Sequence, residues 1–101
     1  MAVLNLDLLA NNEVVIDQSN ADATNTVNIT GLGNSTLIVD GVEVTINSVS
    51  GVSVGANATF ETVNDATLNI DQGLLAVNAL TSTTYKVGDG STINLDASGI
   101  D

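Results

Sequence analysis

The chain has 101 residues and a mass of 10.2 kDa, with 12 acidic side chains against a single lysine, for a formal net charge of -11. It has no histidine, cysteine, proline or tryptophan. One domain fits this length. One cation on so acidic a chain excludes binding to nucleic-acid phosphates or an anionic bilayer surface. The absence of cysteine excludes disulfides and thiolate chemistry.

The core must be thin. Apolar residues make up 44% of the chain but aromatics only 2%, namely Phe60 and Tyr85. Val, Ile, Leu and Ala do the filling, which suits a narrow solenoid or a sheet completed by another subunit.

Short alternating runs follow one another along the chain, the pattern of half-buried strands. They centre on Leu4, Leu6 and Leu8, then Val14 and Ile16, then Val27 and Ile29, then Leu37 and Val39. Val42, Val44 and Ile46 come next, followed by shorter runs at Val52 to Val54 and at Phe60. Leu68 with Ile70, Tyr85 to Val87, and Ile93 with Leu95 complete the series. Gly, Asn and Asp punctuate the runs, and these residues tolerate the left-handed backbone of tight turns. No proline interrupts a ladder. One helix is conceivable, capped by Asp71 and running through Leu74 to Leu80, although Gly73 opposes it.

Asp40-Gly41 between Leu37-Ile38-Val39 and Val42-Glu43-Val44 reads as a two-residue type I′ hairpin, with Val39 facing Val42 and Leu37 facing Val44. A repeat of the form small–Thr–aliphatic–x–aliphatic–Asp occurs at Ser35 to Asp40, Ala66 to Asp71 and Ser91 to Asp96. Its spacing falls in the range of one rung of a parallel β-solenoid.

The segments from Asn34 to Gly41 and from Gly90 to Gly99 resemble rungs of bacterial surface β-helices of the autotransporter and filamentous-haemagglutinin type. Phage spike and fibre proteins have a similar texture. The resemblance is compositional and covers about residues 25–101. It implies an extended structural role at a cell or virion surface. The fold expected is all-β, a short solenoid-like stack of about nine or ten strands with one hairpin; an antiparallel β-sandwich or barrel is the alternative.

Chemistry is scarce. With neither His nor Cys there is no Ser-His-Asp set, no Cys-His pair and no histidine metal ligand. No enzyme activity is expected. Calcium is the one cofactor the composition permits, since it takes oxygen ligands. The places to look are Asp89 with Asp96 around Gly88-Asp89-Gly90, and Asp65 with Asp71. The competing reading makes these aspartates strand ends and turns. Three N-glycosylation triplets, at Asn28, Asn34 and Asn57, carry no information at this Asn, Ser and Thr content. Thr24-x-Thr26 and Thr81-x-Thr83 do not make the aligned threonine array that an ice-binding face needs.

The start, Met1 to Asp7, has neither a basic region nor an unbroken apolar run, so it does not read as a secretory signal. Ala2 to Ile16 is a candidate docking arm, its Leu4, Leu6, Leu8 and Leu9 being more apolar than a free terminus needs. An ordinary first strand is the competing reading.

The function expected is structural: a capsid decoration or fibre subunit on a virion surface, associating with itself as a trimer and with a capsid or fibre protein. The alternative is an adhesin or binding module at a bacterial cell surface or outside the cell, or a filament subunit joined by strand exchange.

Overall fold

The computed structural model describes residues 1–71, 73–76 and 82–96. The alternating runs become nine strands: β1 (Ala2–Leu8), β2 (Glu13–Ile16), β3 (Thr24–Leu32), β4 (Thr36–Asp40), β5 (Glu43–Val49), β6 (Asn57–Val63), β7 (Thr67–Asp71), β8 (Ser82–Val87) and β9 (Thr92–Asp96). One helical turn, α1 (Gly73–Ala76), lies between β7 and β8. The odd-numbered strands form one sheet in the order β1-β3-β5-β7-β9, and the even-numbered strands form a second, β2-β4-β6-β8. Every named pairing is parallel. The chain therefore winds as a β-solenoid of about four turns, each crossing from one sheet to the other and back.

Side chains of matching phase stack from rung to rung. Inward positions form apolar columns such as Val14–Leu37–Phe60–Tyr85. The rings of Phe60 and Tyr85 stack with centroids 6.0 Å apart. Leu8, Ile16, Val27, Ile29, Leu37, Val39, Val44 and Leu68 are fully buried between the sheets. Small aliphatic side chains fill this narrow gap without the bulk that few aromatics would deny a wider core.

Rung length is set by the corners. Along the first sheet, equivalent residues are separated by 23, 19, 24 and 25 positions. One corner is packed so closely that Gly33 is required: a Cβ there would run into the backbone carbonyl oxygen of Leu9.

The hairpin expected at Asp40-Gly41 is not formed. Strand β4 pairs with β2 and β6, and β5 pairs with β3 and β7, so the two lie in opposite sheets. A type I′ turn needs a left-handed backbone at both central residues. Only Gly41 has it, with φ of 69°; Asp40 stays in the strand, in register with Val63. The pair is a tight corner between sheets. The apolar residues that would have shared one hairpin face instead meet across the core, where Val42 and Val44 are buried.

The repeat is resolved similarly. Its copies in β7 and β9 are one rung apart and in register, Thr67 opposite Thr92 through Asp71 opposite Asp96. The copy at Ser35 to Asp40 lies in the other sheet, so its spacing from the second copy is not a rung. The shared pattern marks strand entry. The threonine N–H donates to a carbonyl of the preceding rung's corner: Thr36 to Asn12, Thr67 to Val42 and Thr92 to Ala66. At two copies the small residue pins that corner too, because the Asn12 and Ala66 N–H groups donate to the hydroxyls of Ser35 and Ser91.

Val52 to Val54 is not a strand. Val52 makes one bridge to Leu32, and Val54 is exposed. The helix expected after Asp71 exists as the single turn α1, with the Asp71 carboxylate accepting from the Gly73 N–H at 2.8 Å. Its expected continuation through residues 77–80 lies outside the described residues.

Candidate assembly surfaces

The outer faces are built from the polar half of each alternation. On the first sheet, amides stack into ladders with one donor direction. Asn28 donates to Asn5 at 3.2 Å, Asn47 to Asn28 at 2.9 Å, Asn69 to the Thr45 hydroxyl at 3.2 Å and Asn94 to Asn69 at 2.8 Å. Thr24 and Thr26 belong to this face. The pairs stacked on them are Glu43 and Thr45, then Thr67 and Asn69, then Thr92 and Asn94. No threonine pair recurs rung after rung here, and Thr81 lies outside the described residues.

The four candidate calcium residues are regrouped by the fold. Asp65 follows β6 with φ of 61°, and its carboxylate sits against Gly90, where a Cβ would run into Oδ1. Asp65 thus faces the turn carrying Asp89, while Asp71 and Asp96 are register partners at the ends of β7 and β9. Among the described residues, no three His, Cys, Asp or Glu side chains converge as a metal group would. A shallow recess of about 120 Å³ lies at one line of corners, between Leu9, Gly33, Asn34, Val54 and Ala56.

The segment expected as a docking arm is the first rung. β1 pairs with β3 from Ala2 to Leu8, across one bulge. Leu4 and Leu6 pack half-buried against the core, Leu8 is buried and Leu9 is half-exposed at the corner.

The β2 edge of this first rung is finished by a side chain. Asn20 folds back so that its amide donates to the Val15 carbonyl at 2.7 Å and accepts from the Asp17 N–H at 2.9 Å. Those two groups are on the strand's outer edge, because the adjacent Asn12 carbonyl points inward along the stack to Thr36 and neighbouring peptides alternate. Asn20 therefore takes the place a further strand's peptide would occupy. The Asp17 carboxylate accepts from the Ser19 hydroxyl and from its N–H at 2.8 Å. The hydroxyl bond and the backbone bonds hold its carboxyl below the usual carboxylate range. At the next corner Asp7 accepts from the Leu9 N–H, and Asn12 donates to the Asp7 carbonyl.

The last rung is finished otherwise. Val87 belongs to the column of Ile16, Val39 and Thr62, and Leu95 stacks on Ile70. Thr62 and Ile70 are 0% and 2% exposed, yet Val87 and Leu95 are 56% and 42% exposed. They point toward the core, and no described strand lies above them. Among the described residues, no side chain caps the backbone of Val87, Ile93 or Leu95. Sequence reasoning missed both ends; Asn20, four residues past Ile16 in a polar run, was a signal readable as a turn but not as an edge cap.

A scan against protein-family models, a search of curated proteins and a search of solved structures each find no match.

Proposed function

We propose that this chain is a structural, non-catalytic subunit of a surface assembly, a capsid decoration or fibre element of a virion, that works in association with copies of itself. The observation that carries this reading is a stiff laddered body with apolar side chains left bare at one end. Registered parallel strands with side-chain ladders make a short rigid spacer. Outer faces of Thr, Asn and acidic residues keep it soluble in crowded surroundings. Bare strand edges are ordinarily paired or covered.

Light scattering with refractive-index detection tests the reading, since Tyr85 and Phe60 give little absorbance. A defined mass of two or more chains supports it. A single-chain mass of 10.2 kDa at every concentration overturns it. A mass that falls only with EDTA puts calcium at the contacts.

A further inference from the structure

We propose that two copies of this chain join through their C-terminal rungs, each laying its β9 on the other's β8. This rests on the self-associating reading above and adds the surface, the symmetry and the number of copies.

The argument starts from the staggered end. The nine described strands divide five and four between the sheets, so β8 and β9 are the last strands of their sheets and stand at different heights along the stack. A second copy rotated by a half-turn about an axis parallel to the strands brings its β9 over β8 and its β8 over β9. Both edges then close by one contact used twice, the isologous arrangement of two-fold dimers. The two sheets run in opposite directions, so the new pairs are antiparallel. Strand lengths agree, six residues in β8 against five in β9.

The same placement covers the bare side chains. Val87 and Leu95, with the half-buried Tyr85 and Ile93, meet their equivalents between the sheets as Thr62 and Ile70 do one rung below. Lys86, the only Lys or Arg of the chain, is exposed on the outer face of β8. The rotation keeps each residue's height along the strand, so Lys86 comes beside the Thr92 end of the second copy's β9.

At the N-terminal rung, Asn20 already bonds the Val15 and Asp17 edge groups of β2, and a head-to-tail contact would have to displace it. That obstruction favours a pair over a filament.

Backbone alternation supplies a specific readout. The Gly88 N–H points back to Thr62 and the Thr92 N–H back to Ala66. The N–H groups of Val87, Ile93 and Leu95 therefore point away from the stack. On association, amide exchange should slow at these positions, with Asn94 between them already bonded. Light scattering from about 1 µM to about 1 mM should show a two-chain mass. Leu95→Glu should raise the half-association concentration by about 100-fold, since each contact would bury an unpaired charge. A three-chain or open-ended mass overturns the proposal while leaving self-association standing. So does a pair that Leu95→Glu leaves intact, or whose formation does not slow exchange at Val87, Ile93 and Leu95. A parent chain that stays single overturns both readings together.

Discussion

At the N-terminal end, the Asn20 amide spans Val15 and Asp17 of β2 as a neighbouring peptide would, and of the inward side chains Leu8 and Ile16 are buried while Leu4 and Leu6 are half-buried. At the C-terminal end no described strand continues the equivalent columns, and Val87 and Leu95 are more than two-fifths exposed. Both ends carry the same inward-facing aliphatic pattern, so side-chain type does not separate them. The difference lies in the seven residues between β2 and β3, long enough to fold an asparagine back under the strand. At the other end, the corner between β8 and β9 is four residues. An edge is thus closed by loop length as much as by sequence.

The largest test of this contrast compares one leucine at each end. Leu8→Ala should cost about 3 kcal/mol in urea unfolding followed by circular dichroism, as a fully buried leucine does. Leu95→Ala, measured dilute enough to keep the chain single, should cost under about 1 kcal/mol. Equal losses would mean that the two ends are equally sealed. Thr62→Val sharpens the picture in the column that ends at Val87. The Thr62 hydroxyl is buried with no hydrogen-bond partner among the described residues. Replacing it with a methyl of similar shape should stabilise the chain by about 1 kcal/mol, read as a higher urea midpoint.

Asn20→Ala is expected to cost only about 0.5–1 kcal/mol, because the freed Val15 carbonyl and Asp17 N–H can reach water. Its larger effect is on assembly: with both ends bare, light scattering should show species larger than two chains. A mass unchanged from the parent would deny the cap its blocking role. The smallest effect is acidification. Asp17 has its pKa depressed in the folded chain, so its contribution is complete above the unfolded value and is lost as pH falls through the folded one. Amide exchange at Ser19 should therefore quicken below the usual carboxylate range. Asp17→Asn should flatten that dependence.

Strand identity was legible because burial here follows period two. Leu4, Val14, Val27, Leu37, Val44, Phe60, Leu68, Tyr85 and Ile93 all begin or belong to runs that became strands. Pairing was less legible. Leu37-Ile38-Val39-Asp40-Gly41-Val42 has the same alternation whether the second strand returns beside the first or crosses to the opposite sheet. One left-handed residue and not two decided it, and single residues do not announce φ. The aspartates were visible as a class, but only the register showed that Asp65 faces the turn at Asp89 and that Asp71 lies under Asp96. The candidate assembly end was not legible at all. Val87 and Leu95 look like any other inward aliphatics until one knows which strands come last in each sheet.

The unequal rungs, of 23, 19, 24 and 25 residues, have a genetic consequence. Corners and the bulges at Leu6/Asp7 and Val27/Asn28 take up small differences in rung length, whereas a duplicated or deleted rung changes the height by one strand spacing, about 4.8 Å. Such a molecule is a ruler graduated by recombination: its reach can be lengthened in whole steps while both finishing ends stay as they are.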